Sequence, residues 1–275
     1  MAYRISPDTS SLTAQRYLEK SQRQIENSLA RLSSGSRIVQ AGDDAAGFAI
    51  SENLRGQLTG NKQAKFNAEN AISLVQTAEG GLNEQNNILI RLRELAVYSA
   101  SDTLGDDERG LVNNEFQQLI AEFDRIAKST RFGSKNLLVG DDQKYEFQVG
   151  PYKGPENVIQ FQLDANTTAG NVGITDLDVS DKDDARDAIS NVDDAIFKVA
   201  STRANLGAAQ SRFQYAIDNL STQAENIQAA RSIYTDTDYA EETANLSKAK
   251  ILQEAGIAVL AQSNNDSGRV LRLIG

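Results

Sequence analysis

Between Ile189 and Tyr234 the seam positions alternate strictly at three and four residues: Ile189, Val192, Ile196, Val199, Arg203, Leu206, Gln210, Phe213, Ile217, Leu220, Ala224, Ile227, Arg231 and Tyr234. A repeat of about 3.5 residues is the seam of a coiled coil, and at about 1.5 Å per residue the helix is roughly 69 Å long. One seam does not offset the entropy of ordering its own chain. A helix of matching length must cover it.

That helix is legible earlier in the chain. Ala68, Val75, Leu82, Leu89 and Ala96 recur every seven residues, with Ala71, Ala78, Gln85 and Leu92 as a companion row and Leu74, Gly81, Ile88 and Leu95 as a third. So wide an apolar face touches two neighbours. After a break at Ser101 to Gly105, a shorter amphipathic helix carries Val112, Phe116, Leu119, Phe123 and Ile126, and its brief link makes it turn back. The pattern predicts helices over residues 45–99, 107–128 and 184–231. Their shared core is expected at Val75, Leu82, Leu89, Leu92, Phe116, Leu119, Ile196, Val199, Leu206, Phe213, Ile217 and Leu220.

Both ends carry further helices. Pro7 and Asp8 start the first, Leu18, Ile25, Leu29 and Leu32 give it a seam, and Gly35 stops it. In Ala41 to Gly47, Asp43 or Asp44 is placed to cap the next helix, and the small residues allow close backbone approach. Thr235 to Asp238 interrupts the long seam, after which Asp238 with Glu241 caps a last helix bearing Leu246, Leu252, Ile257, Val259 and Leu260. Arg269 to Gly275 then alternates basic and apolar residues. The end helices can bury their apolar faces only against one another or against other molecules, so the ends are expected to order on association.

Between 140 and 180 the period changes to two. Tyr145, Phe147 and Val149 alternate with polar residues, as do Ile159, Phe161 and Leu163, around a turn holding Gly150-Pro151 and Gly154-Pro155. This predicts a β-hairpin, with Asn166 to Val179 adding a short strand or turns and Ser180 with Asp183 capping the long helix. Asn166-Thr167-Thr168 is a sequon in what reads as an exposed loop. The expected fold is mainly α: a long antiparallel coiled-coil bundle with a small β-hairpin and paired N- and C-terminal helices. Residues 1–42 with 235–275 form a terminal-helix domain, and 43–234 form a rod domain including the hairpin region 140–180.

Composition removes most chemistry. There is no Cys and no His, so thiolate and imidazole catalysis, disulfides and ordinary zinc sites are excluded. A net charge of −10 without a basic face argues against nucleic acid. No stretch approaches the roughly 18 consecutive apolar residues of a membrane span, and MAYRISPDTS lacks a secretory apolar core. The run Asp176, Asp178, Asp181, Asp183, Asp184 and Asp187 partly imitates a calcium loop, yet Asp181 stands where such a loop needs Gly; it reads as a solvated helix start. Arg203, Gln210 and Arg231 on the seam read as register markers. No catalytic, cofactor or metal site is expected.

Several long stretches are similar to a known family. LARLSSGSRIVQAGDDAAGFAISENLRGQ at residues 29–57, NAISLVQTAEGGLNE at 70–84, NLGAAQSRFQYAIDNLSTQAENIQAARS at 205–232 and DTDYAEETANLSKAKILQEAGIAVLAQ at 236–262 resemble bacterial flagellin, in order along the chain. The resemblance implies a homopolymer, alone or with other flagellins, that builds the extracellular flagellar filament for swimming. It implies export through the flagellar apparatus without a cleaved signal peptide. A flagellar cap, hook-associated proteins and an export chaperone are implied as partners. Only about 40 residues separate the two matching halves, as in a short form without outer domains. Leu18, Ile25, Leu29, Leu32, Leu246, Leu252, Ile257 and Leu260 would then serve self-assembly. Leu89, Arg91, Leu95 and Glu115 match a region read by an innate immune Toll-like receptor or used between protofilaments. Alternatives are a hook-filament junction protein and, in another class, a membrane-active secreted helical effector.

Overall fold

The computed structural model describes residues 9–140, 144–162 and 165–274. Six helices appear among them: α1 (Thr9–Ser34), α2 (Ala45–Ser99), α3 (Asp106–Ser129), α4 (Ala169–Val172), α5 (Lys182–Thr235) and α6 (Tyr239–Ile274). Strands β1 (Arg131–Phe132) and β2 (Lys135–Asn136) form one antiparallel pair, and β3 (Lys144–Gln148) and β4 (Val158–Gln162) another. No Pro occurs between Asp8 and Gly150 or beyond Pro155, so nothing interrupts the long helices. The chain divides into two compact units, an end unit of Met1–Gln57 with Asn226–Gly275 and a bundle unit of Leu58–Glu225. The divisions fall inside α2 and α5.

In the bundle unit, Ala68, Val75, Leu82, Leu89 and Ala96 are fully buried, as are Ala71, Ala78, Gln85 and Leu92. Helix α3 runs antiparallel to α2, with Arg91 bonding Glu115 and Gln85 bonding the Phe123 carbonyl. It contributes Phe116, Ile120 and Phe123 to the core, with Leu119 half-buried beside them. Helix α5 is antiparallel on the other flank, held by Arg93 to Asp193 at 2.6 Å and Arg203 to Glu79 at 3.8 Å. Its buried row is Val192, Val199, Leu206, Phe213 and Leu220, accompanied by Ala188, Ala195 and Ala209. Ile196, Arg203 and Gln210, one residue further on, are half-buried. The small alanines let the helices approach and leave the bulkier side chains at the rim. Ile217 is buried beside Leu220.

The hairpin pairs Tyr145 with Phe161 and Phe147 with Ile159. Tyr145, Val149 and Phe161 are buried, and Phe147 meets Phe213 edge-on at 5.3 Å between ring centroids. Leu163, the expected last inward residue, lies outside the described residues, as does the helix start at Pro7 and Asp8. The β1–β2 pair is a two-residue ladder turning at Gly133, whose φ of 61° suits glycine. Strands this short carry no alternation to read.

Of the strand or turns expected over Asn166 to Val179, the segment takes turns; after an isolated bridge from Asn166 to Val139 it also forms α4 and runs along α3, with Gln117 bonding the Leu177 carbonyl at 2.7 Å. Two local expectations are corrected. The sequon is not in an exposed loop: Thr167 is buried, and the Asn166 Oδ1 accepts the Thr168 hydroxyl at 2.8 Å. Helix α5 is capped by Asp181, which accepts the Asp183 N–H at 2.9 Å, because the Ser180 hydroxyl is spent on Asp178.

Two buried polar groups hold the bundle together. Arg109 donates to the carbonyls of Ser99 and Ser101 at 3.0 Å each, closing the C-terminal end of α2. Gln85 donates to the Phe123 and Thr167 carbonyls at 3.2 and 3.1 Å and accepts the Thr167 hydroxyl at 2.8 Å. Gln85→Leu leaves the Thr167 groups without partners and is expected to cost about 1–3 kcal/mol, measured by chemical denaturation.

Candidate assembly surfaces

Helices α1 and α6 form the end unit's antiparallel pair. Ser11 bonds Asn264 at 3.5 Å, Gln253 bonds Gln22 at 2.6 Å, and the Tyr239 hydroxyl bonds the Leu32 carbonyl at 3.3 Å. The residues of α1 turned inward are Ser11, Ala14, Leu18, Ser21, Ile25, Ser28 and Leu32, a strict alternation of three and four. Those of α6 are Glu242, Leu246, Ala249, Gln253, Gly256, Leu260 and Ser263, in the same rhythm. The register is a coiled coil's, but much of its chemistry is small or polar. Glu242 is buried, accepting the Ser28 hydroxyl at 2.5 Å and lying 3.6 Å from Arg31. Gly256 lets Leu18 come close: a Cβ there would stand 3.3 Å from its Cδ1.

A second set of large apolar side chains in the pair points the other way. Leu12, Tyr17 and Leu29 of α1 are exposed, as are Ile251, Leu252, Ile257 and Val259 of α6, with Leu252 at 48% and Val259 at 59%. Of the eight end-helix positions singled out from sequence, Ile25 is buried, Leu18, Leu32, Leu246 and Leu260 are half-buried within the pair, and Leu29, Leu252 and Ile257 face outward. The outward Leu252 and Val259 stand one heptad apart on α6, and sequence alone did not separate them from the inner row.

The joint between Ser34 and Asp44 is tied to the one between Thr235 and Asp238. Gly35 ends α1 with φ of 69°, and its carbonyl accepts the Thr237 N–H at 3.1 Å. The Arg37 N–H donates to the Thr235 carbonyl at 2.7 Å, completing an antiparallel bridge between Ser36 and Asp236. Asp44 caps α2 through the Gly47 N–H at 2.9 Å, and Asp238 caps α6 through Ala240 and Glu241 at 2.8 and 3.2 Å. Asp43 instead closes the loop, accepting the N–H groups of Val39 and Gln40 at 3.0 and 3.1 Å. A Cβ at Gly47 would fall 2.5 Å from the capping Asp44 Oδ2 and 2.9 Å from Ile38 Cδ1, so a side chain there would displace the cap or Ile38.

In the bundle unit, Leu89 and Leu95 lie in the core, so of the four positions matched to a receptor or protofilament contact only Arg91 and Glu115 reach solvent. They are bonded at 2.8 Å, and the bonds to Glu115 and Glu94 raise the Arg91 pKa. The acidic run spends Asp178 on Ser180, Asp181 on Asp183 and Asp183 on Arg186. Among the described residues no group of acidic side chains is placed to hold a metal ion, and no helix is long and apolar enough to cross a membrane. The side chains of 266–274 lie outside the described set.

Two family models match, the bacterial flagellin N-terminal helical region over residues 5–143 and the bacterial flagellin C-terminal helical region over 189–274. The chain belongs to the bacterial flagellins. It is 38% identical over 271 residues to the flagellin of Halalkalibacterium halodurans, covering 98% of this chain and 99% of that one. It is also 38% identical over 288 residues to flagellar filament core protein flaB2 of Brachyspira hyodysenteriae, with the same coverage of 98% and 99%. The crystal structure of Bacillus cereus flagellin aligns with a TM-score of 0.51 at 27% identity, covering 60% of this chain and 94% of that one. A putative flagellar hook-associated protein from Vibrio parahaemolyticus aligns at 0.59 with 12% identity, covering 70% and 99%, a likeness of fold alone. This flagellin is a structural subunit of the filament outside the cell and not an enzyme.

The joint responds to acid. The N–H groups of Gln40 and then Val39 hold the Asp43 carboxyl below its ordinary pKa. A depressed pKa contributes stability above the unfolded value and loses it as pH falls through the folded one. Protection of the amides at 39–40, their exchange measured relative to the intrinsic rate at each pH, is therefore expected to fall on the acid side of the carboxylate range, and Asp43→Ala to have lost that protection at neutral pH already.

Proposed function

We propose that the outward rows of the α1–α6 pair, Leu12, Tyr17 and Leu29 with Ile251, Leu252, Ile257 and Val259, are the surfaces through which copies of this flagellin pack into a filament. The observation that carries this is the set of apolar side chains that the pair turns outward. Seven large apolar side chains remain in water while serines, alanines, a glycine, a glutamine and a glutamate share the inside with five leucine and isoleucine side chains, an arrangement suited to a helix pair that becomes interior only on association. In this reading residues 1–42 with 235–275 line the channel of the tube, and 43–234 form the surrounding rod layer.

The finer partners follow the same reading. A flagellar cap guides addition at the tip, hook-associated proteins meet the first subunits, and an export chaperone holds the apolar face of α6 before secretion without a cleaved signal peptide. Arg91 and Glu115, bonded at the surface, supply a contact to a neighbouring protofilament or to a Toll-like receptor.

Leu29→Asp and Leu252→Asp alter exposed side chains and are expected to leave the folded chain within about 0.5 kcal/mol of the parent. High-speed sedimentation with negative-stain microscopy, using filament seeds, is expected to show long tubes for the parent and none for either variant. Tubes of normal yield from both variants would remove these rows from the assembly surface. Liposome flotation of the parent separates lipid insertion from self-assembly.

A further inference from the structure

The seam between α2 and α5 is uneven along its length. From Val75 to Ala96 the row of α2 is buried throughout, and Gln85, the buried amide on the companion row, is bonded at both ends to Phe123 of α3 and to Thr167. One heptad before Ala68 the same row carries Asn61, which is 1% exposed with neither Oδ1 nor Nδ2 partnered. Glu79 with Arg203 and Arg93 with Asp193 mark the antiparallel register of the two helices, and carried along α2 to Asn61 it reaches the level of residues 221–225 of α5, where Ser221 lies. The Ser221 hydroxyl donates to the Ile217 carbonyl at 2.8 Å, so its proton is already committed.

Two other weaknesses lie at this level. Gly60, a weak helix former within α2, sits where Pro151 of the hairpin turn presses in, and a Cβ there would fall 2.9 Å from Pro151 Cβ. Beside that turn lie two open cavities, one of about 400 Å³ against Gly60, Ala64 and Asn67, the other of about 360 Å³ against Tyr215, Ala216 and Leu220.

We infer that Asn61 is a built-in opening point, at which residues 58–68 of α2 separate from 215–225 of α5 while the seam from Val75 to Ala96 stays closed. In the closed state both amide atoms lack partners; in the open state water bonds both. The open state is thereby favoured locally without loosening the rest. The inference is independent of which surfaces build the filament.

Hydrogen exchange on the full chain at neutral pH tests it. Amides in 58–68 and 215–225 are expected to exchange faster than those in 82–92, and Asn61→Leu to slow them at least about ten-fold while leaving 82–92 unchanged. Equal rates in the parent, or a fast stretch that Asn61→Leu leaves unaltered or speeds, would overturn the inference. Should leucine cost helicity, Asn61→Ala decides by the same criterion. Gly60→Ala is no substitute, because its new methyl collides with Pro151.

Discussion

The seven-residue row from Ala68 to Ala96 is buried along its whole length because α2 has a helix on each flank, α3 paired through Arg91 and Glu115 and α5 through Arg93 and Asp193. The other elements of the bundle unit answer to that row. Helix α3 needs the turn that Arg109 closes, the segment through α4 lies along α3, and the hairpin covers Phe213 with Phe147. A long helix with apolar residues on so wide a face is unstable in water until both flanks are covered, which is why a chain with little sheet folds cooperatively here.

The end unit settles the same problem differently. Its helices meet through Leu18, Ile25, Leu32, Leu246 and Leu260 interleaved with serines, alanine, glycine and a buried glutamate, contacts that fix register. Further apolar rows, with Leu29, Leu252 and Ile257 among them, are left on its outside. In the proposed packing, the free energy of covering those rows is released only when another subunit arrives. The joint is held by backbone bonds between Gly35, Arg37, Thr235 and Thr237 and by caps at Asp44 and Asp238, and none of these depends on apolar burial.

Periodicity made α2, α3 and α5 legible because a helix repeats its buried face every three or four residues, and caps such as Asp44 and Asp238 act within their own turn. The same reasoning placed the β3–β4 hairpin, whose alternation spans five residues in each strand. It missed the β1–β2 ladder, too short for any period, and it chose Ser180 over Asp181, since a serine hydroxyl has several local partners and only the folded loop shows that Asp178 takes it.

By itself the sequence determined the helices, the seam row of α2, the absence of thiol and imidazole chemistry and, through its resemblance, the family; each rests on local spacing or residue type. Only the tertiary structure decided which apolar rows on α1 and α6 face inward, that Ala195 rather than Ile196 sits deepest on α5, and that Gln85 is satisfied while Asn61 is not. Those outcomes depend on which helix lies opposite and how closely it approaches, and a polar side chain reads the same in sequence whether or not its partner arrives.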